Sequence, residues 1–171
     1  MVIDYITKDR ETFLKYVNIC NQSYRHDNEL YRRLIQDHRE QNNLEQLIQD
    51  DRFIISIYET LEKFNMNQRG ARLQDSETIK NSIRSLQNEF LILYRHKLHE
   101  LEDDSLDYIK EIVKEIFCNI KIMRSRSRLV GVSKTLHFMI PDLFMPIDRT
   151  YTLPAFYGYH IYHYTCQQEF D

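Results

Sequence analysis

Apolar residues recur every three or four positions along most of the first 125 residues, which is the period of a helix that buries one face. The clearest stripes contain Phe53, Ile57, Leu61 and Phe64, then Ile79, Ile83, Leu86 and Phe90, then Ile109, Val113, Ile116 and Ile120. Shorter stripes precede residue 50. The spacing predicts an all-α fold, a compact bundle of about six or seven helices whose apolar faces share one core.

The turn-forming residues support the same fold class. The 171 residues include only three glycines and three prolines, and connections between strands consume both residue types. Asp75 or Ser76 is expected to cap the helix that follows it, and Gly70 is expected to take the left-handed conformation near a helix end. The length suits one domain, so we predict a single all-helical domain over residues 1–171.

The C-terminal segment, residues 151–171, has a different composition. It contains Tyr151, Tyr157, Tyr159, Tyr162 and Tyr164 and completes no apolar stripe. We expect it to be peripheral, in a chain that is short at its C-terminus, and its exposed aromatic rings suit a partner surface.

Net charge and cysteine content limit the classes of partner and the cellular compartment that we expect. The formal net charge is -3, so attraction to nucleic acid needs a local basic patch. Cys20, Cys118 and Cys166 are odd in number and widely spaced, which is typical of reduced thiols in a cytoplasmic protein. The first residues carry acids where a signal peptide has its apolar core, and no apolar run approaches the roughly 18 residues of a membrane span. We therefore expect a cytoplasmic chain without a membrane partner.

The charge changes sign sharply near residue 120. Residues 100–115 contain seven acids and two lysines, whereas residues 121–134 contain five basic residues and no acid. A helix dipole alone would favour this gradient. A second interpretation is phosphate binding, because MRSRSRL alternates arginine with serine, and both contact phosphates beside a helix N-terminus. The predicted nucleic-acid-binding residues are Lys121, Arg124, Arg126, Arg128, Ser133 and Lys134.

Lys134 and Asp148 are candidate catalytic residues. A lysine in an apolar run can have a lowered pKa and serve as a nucleophile or base, and Asp148 could orient it or accept a proton. The alternative is that Lys134 reaches solvent and that Asp148 caps a helix or pairs with Arg149. From the residues alone, this alternative is the stronger interpretation.

Proline enters the chain only after residue 140. Pro141 and Pro146 are predicted to divide the following segment into two short helical turns. His137 lies just before them among apolar residues, and we predict a buried, hydrogen-bonded imidazole that joins these turns.

Three further patterns are weaker. His160, His163 and Cys166 form H-x2-H-x2-C without a fourth ligand, so no metal and no cofactor is predicted. Asn67 and its neighbours in NMNQRG either recognise a ligand or satisfy helix-end carbonyls. Phosphate-cradling loops, nucleophile elbows and HExxH motifs are absent from the sequence, which argues against the common nucleotide-hydrolysing enzymes.

The segment SKTLHFMIPDLFMPIDRTYT combines SK-x-LHF, P-x-x-F and P-x-D. It resembles a poorly characterised family of small helical prokaryotic proteins, in which an element like NMNQRGARL comes earlier in the chain. More distantly it is similar to the helix-hairpin-helix DNA glycosylase superfamily. That resemblance implies a hairpin at residues 130–134 that binds the DNA backbone, with Lys134 attacking the sugar and Asp148 as the aspartate that follows.

These observations lead to one preferred function and two alternatives. The preferred function is association with DNA or another phosphate-bearing ligand through residues 121–134, without catalysis. The first alternative is a non-catalytic protein-interaction domain or homo-oligomer. The second is a DNA glycosylase or lyase that uses Lys134 and Asp148.

Overall fold

The computed structural model of the chain describes residues 8–23, 29–68, 70–125, 127–147 and 152. These residues form eight α-helices and no strand, so the predicted all-α fold is confirmed. The helices are α1 (Arg10–Ser23), α2 (Glu29–Gln41), α3 (Leu44–Gln49), α4 (Asp51–Lys63), α5 (Ser76–Ser85), α6 (Gln87–Leu93), α7 (Asp103–Asn119) and α8 (Leu129–Met139), and a 3-10 turn covers Leu98–Glu100.

The chain divides into two compact units. Among the described residues, the first unit holds residues 8–23, Glu29 and Thr152, and therefore α1. The second unit holds the described residues from Leu30 to Ile147, which include the other helices. The single domain expected over residues 1–171 stays a prediction. In the first unit, the Asp9 carboxylate accepts the Thr12 backbone N–H at 2.7 Å and holds the first turn of α1.

Short polar side chains begin three helices of the second unit. Asn43, Asp50 and Asp75 each accept a backbone N–H from the first turn of α3, α4 and α5. These bonds satisfy amide donors that have no partner within the helix. The predicted cap at Asp75 is thus confirmed. Gly70 has φ +90, the left-handed conformation expected for it.

The predicted apolar stripes form the core of the second unit. Ile57, Leu61, Ile79, Ile83 and Ile116 are all fully buried, as the helical spacing requires. α8 contributes Phe138, whose ring stacks on Phe64 with 6.3 Å between centroids. Among the described residues, no helix is both long enough and apolar enough to cross a membrane.

Residues 120–125, 127 and 128, which lie between α7 and α8, are outside any helix. The first half of this segment lies antiparallel to residues 72–74, where the Gln74 N–H donates to the Ile122 carbonyl and the Arg124 N–H donates to the Arg72 carbonyl, each at 2.8 Å. Residues 130–134, which the glycosylase resemblance assigns to a hairpin, lie in the first turns of α8. Gly131 is therefore helical.

The sequence predicts two helical turns after α8. Residues 141–143 form one turn, and residues 144–147 continue without helix. The second predicted turn, after Pro146, extends into residues 148–151, which lie outside the described residues, so it stays a prediction. Pro141 follows the helix end directly, where its fixed backbone suits a turn.

Pro146 has no amide hydrogen to donate. The segment around it is held by the bond that the Ile147 N–H donates to the Ser133 hydroxyl. A second bond, from His137 to the Phe144 carbonyl, holds it as well.

Candidate functional site

Arg128, one of the predicted phosphate-binding residues, binds the end of α7. Its guanidinium donates to the carbonyls of Phe117 and Ile120, the second at 3.3 Å, and its centre lies 5.8 Å from the centroid of the Phe117 ring. The last carbonyls of a helix lack partners within the helix. Arg128 supplies them with a charged donor, which also complements the negative end of the helix dipole.

The other basic residues of the joint differ in their surroundings. Lys121 is exposed. Arg124 is also exposed, but its guanidinium bonds the Gln74 side chain at 3.2 Å and lies 3.5 Å from the Asp75 carboxylate. Arg126 lies outside the described residues. Among the described residues of the joint, Lys121 and Arg124 therefore offer the exposed positive charge.

Ser133 and Lys134 face different neighbours. The Ser133 hydroxyl accepts the Ile147 backbone N–H at 3.1 Å, which joins Ile147, directly after Pro146, to α8. The Lys134 ammonium lies 4.5 Å from the centroid of the Phe64 ring, a cation–π contact. Asp148 lies outside the described residues, so its predicted convergence with Lys134 stays a prediction.

His137 has the structural role that its apolar surroundings predicted. Its Nδ1 lies 2.7 Å from the Phe144 carbonyl and its Nε2 lies 3.0 Å from the Tyr31 hydroxyl. Because a carbonyl can only accept, Nδ1 carries the proton and Nε2 accepts the Tyr31 O–H. Burial lowers the pKa of His137, in keeping with this neutral form. The predicted buried, hydrogen-bonded imidazole is confirmed. It joins the segment after Pro141 to Tyr31 of α2, whereas the prediction had it joining the Pro141 and Pro146 turns to each other.

The polar cluster after α4 is also structural where the structure describes it. The Asn67 side chain accepts the Leu73 backbone N–H at 2.8 Å and donates to the Glu62 carboxylate at 2.8 Å. Arg69 lies outside the described residues, as do His160, His163, Cys166 and the tyrosine-rich segment.

A cleft of about 460 Å³ opens along one face of α2. Tyr31, Ile35 and His38 line it from α2, and Asn42 lies just beyond the helix end. The opposite walls come from residues 94–97 after α6, and from His137 with residues 140–142 at the end of α8. A backbone bond from Leu98 N–H to the Asp142 carbonyl, 3.0 Å long, joins these two walls.

His38 is the most enclosed polar side chain of the cleft, with 6% of its surface exposed. Its Nε2 lies 2.6 Å from the Phe138 carbonyl, so Nε2 is the donor. Its ring packs edge-on against Phe53 at 5.3 Å between centroids, and Tyr94 lies 6.5 Å away. Burial lowers the pKa of His38, while the Phe138 bond and the Asp142 charge act in the opposite direction.

The charged residues of the cleft lie at its rim. Arg39, Lys97 and Asp142 are exposed and line the opening. Lys97 lies 3.3 Å from the Glu100 carboxylate, whereas Arg39 forms no ion pair within the part of the chain that the structure describes. Burial and the Asp142 charge together raise the pKa of Tyr94, so its phenol stays protonated at neutral pH. The cleft thus combines neutral aromatic walls with two cations and one acid at its mouth.

The sequence interpretation did not find this cleft. Its signal is visible in hindsight: Tyr31, Ile35, His38 and Asn42 follow a spacing of four, three and four, which puts polar and aromatic side chains on one helical face. Residues 95–97 read Arg-His-Lys after an apolar helix. No sequence rule brings those two segments together with the end of α8.

No protein-family model, curated protein or solved structure matches the chain. Functional interpretation therefore depends on the site itself. Among the described residues, no group of three or more His, Cys, Asp or Glu side chains is placed to hold a metal ion.

Proposed function

We propose that the chain binds a phosphate-bearing ligand that carries a planar base, and that it does so in the α2 cleft. The proposal depends on one observation: Arg39 and Lys97 both line the rim of the cleft, and aromatic and imidazole side chains line the walls behind them. Phosphates attract arginine and lysine, and bases stack on planar side chains. The volume falls within the roughly 300–1,000 Å³ of ordinary small-ligand sites.

The rim charges suit an anion. Arg39 has no competing carboxylate among the described residues, and the exposed Lys97–Glu100 pair contributes little stability that a ligand would have to replace. A guanidinium can bind two phosphate oxygens at once. Asp142, on the opposite wall, would repel a phosphate, which favours placing the anionic group beside Arg39 and the base deeper in the cleft.

This proposal keeps the class of partner expected from the sequence and moves its site. DNA or another phosphate-bearing ligand remains the proposed partner. The joint at residues 121–128 is the weaker location, because Arg128 binds helix-end carbonyls and Arg124 lies beside Asp75. The proposal concerns binding alone and assigns no catalytic step to Lys134.

The test is calorimetric binding of thymidine 5′-monophosphate and of a 5′-phosphorylated oligothymidylate, at low and moderate salt. Binding should weaken as salt rises, because phosphate contacts release counterions. Arg39→Gln should weaken the binding of both ligands by about tenfold, the effect of losing one charged hydrogen bond. Arg33→Gln is the matched control, since Arg33 is exposed on the same helix but does not line the cleft.

Two further variants separate the cleft from the joint. Lys121→Gln with Arg124→Gln removes the exposed charges of the joint's described residues and should leave the affinity for both ligands unchanged. If this double variant abolishes binding while Arg39→Gln has no effect, the joint is the binding surface and the cleft proposal is refuted. Absence of binding by wild-type protein, for the mononucleotide and the oligonucleotide alike, would refute both sites.

A further inference from the structure

The two buried histidines of the cleft differ in how many of their ring nitrogens form hydrogen bonds. His137 uses both ring nitrogens, one toward Phe144 and one toward Tyr31. His38 uses only Nε2, as a donor to the Phe138 carbonyl. In a neutral ring the other nitrogen, Nδ1, is an acceptor. It has no hydrogen-bond partner among the residues that the structure describes.

An acceptor left unpaired in a buried side chain is costly. His38 is more than nine-tenths buried, and a buried polar atom without a partner loses its hydration without compensation. The two aromatic residues packed against its ring supply no donor to it, because the Phe53 side chain has no polar atom and the Tyr94 hydroxyl donates to the Asn42 side chain at 3.4 Å. The group that occupies the cleft beside His38 is therefore expected to carry an N–H or O–H donor.

We infer that His38 Nδ1 accepts a hydrogen bond from an N–H of the ligand's base, so that the cleft selects an unpaired nucleotide. This inference rests on the proposed function, and it adds the class of ligand. The N–H groups of thymine and adenine that face a pairing partner are occupied in a duplex. The adenine amine keeps one hydrogen free in the major groove of a duplex, but a base held in a duplex cannot enter the cleft to reach a side chain that is only 6% exposed. A base that donates to His38 must therefore be unpaired, as in a mononucleotide or a single strand.

Matched ligands isolate this one hydrogen bond. Thymidine 5′-monophosphate has one ring N–H, and its 3-methyl derivative lacks it. Adenosine 5′-monophosphate has an exocyclic amine, and its N6,N6-dimethyl derivative lacks both amine hydrogens. We expect the unmethylated member of at least one pair to bind about tenfold more tightly or better, because a site built for a donor rejects the analogue without it.

A substitution at His38 then ties the discrimination to the residue. His38→Gln places an amide N–H near the position of Nε2, where it can still donate to the Phe138 carbonyl, and removes the acceptor at the Nδ1 position. The variant should bind methylated and unmethylated ligands equally. Its melting temperature shows whether the fold is retained. Nitrogen-15 spectra of the wild-type histidines supply a second readout, since Nδ1 of His38 should shift on binding while those of His137 stay constant.

The outcomes distinguish this inference from the proposed function. If wild-type protein binds nucleotides with Arg39 dependence but treats both ligand pairs alike, the His38 inference is wrong and the cleft proposal stands. A mononucleotide and an oligothymidylate bound equally well per site identify the free nucleotide as sufficient, whereas a much tighter oligonucleotide identifies a single strand. Tighter binding to duplex than to single strand would overturn the inference, and no binding at all would overturn both.

Discussion

The joint between α7 and α8 and the cleft beside α2 both contain arginines, but the groups that these arginines contact are different. In the joint, Arg128 donates to two carbonyls at the end of α7, and Arg124 lies beside Gln74 and Asp75. At the cleft, Arg39 is exposed at the rim and forms no ion pair among the described residues. The joint has the more basic sequence, but its Arg128 is already bonded to backbone carbonyls, whereas Arg39 at the cleft has no such bond in the part of the chain that the structure describes.

This difference reflects the carbonyl groups at the end of a helix, which can bind basic side chains that follow it. A helix leaves its last carbonyls without partners and carries partial negative charge at that end. A run of basic residues directly after a helix is placed to satisfy those groups, whatever else it binds. Arg39 also lies in the last turn of its helix, α2, yet its guanidinium forms no hydrogen bond to a carbonyl among the described residues. Whether a cation near a helix end is available to a ligand therefore depends on the groups that it bonds, which its position in the sequence does not give.

The largest expected effect is at Arg128. Arg128→Ala removes the charged donor of the Phe117 and Ile120 carbonyls and the contact with the Phe117 ring, and should lower the free energy of unfolding by about 2–3 kcal/mol. Urea denaturation measures this loss. Lys121→Ala is the control, since Lys121 is exposed, and should change stability by less than about 0.5 kcal/mol. Equal, small effects of the two substitutions would show that the joint is a solvated surface.

The second largest effect is expected from acid, which should lower the free energy of unfolding through the two buried histidines of the cleft. Burial lowers the pKa values of both His38 and His137 below the ordinary 6.5. The unfolded chain therefore binds protons first as the pH falls, so this stabilisation is complete above about pH 6.5 and is lost as the pH drops toward the folded pKa values. Each histidine contributes a slope of at most about 1.4 kcal/mol per pH unit.

Urea denaturation between pH 7.5 and pH 5 measures that slope. His38→Gln and His137→Gln should each flatten the dependence. If the wild-type free energy of unfolding is constant down to pH 5, the histidines do not hold the cleft walls in their neutral form.

How much of this comparison the sequence predicts depends on the range of the interactions. The stripe through Ile57 and Leu61, the Asp75 cap and the buried His137 follow from local rules of period, capping and polarity. The bonds of Arg128 to the carbonyls of α7 form only because the end of α7 lies beside the start of α8. Hydrophobic periodicity does not determine that arrangement. The cleft needs three segments that lie far apart in the chain, so its residues look like ordinary surface positions in the sequence.

A smaller effect is expected from the hydroxyl of Tyr31. Tyr31→Phe keeps the ring that stacks on His137, 5.8 Å away by centroids, and removes the O–H that His137 Nε2 accepts. The free energy of unfolding should fall by about 1 kcal/mol, the usual contribution of one such bond. Tyr94→Phe is the matched control within the same cleft, because its hydroxyl lies 3.4 Å from the Asn42 side chain and forms a weak bond. A larger loss at Tyr94 would contradict the expectation that the Tyr31–His137 hydrogen bond is the stronger of the two.

The smallest effect is expected at Gly131, and it bears on the hairpin resemblance. Gly131 lies inside α8, where alanine is a better helix former by about 1 kcal/mol. A Cβ at this position would lie 2.5 Å from Sδ and 2.8 Å from Cγ of Met123. Most of that buried side chain must therefore shift, and its displacement offsets the helical gain.

Gly131→Ala should therefore change the free energy of unfolding by less than about 0.5 kcal/mol, whereas Gly131→Val, with a β-branched side chain in the same space, should be clearly destabilising. Urea denaturation of both variants, beside binding of the 5′-phosphorylated oligothymidylate, separates two roles for this segment. A hairpin that meets the DNA backbone through a glycine would lose oligonucleotide affinity on Gly131→Ala at unchanged stability. A glycine that only lets α8 pack against Met123 would leave that affinity intact, and the cleft would then be the region in which to look for the ligand.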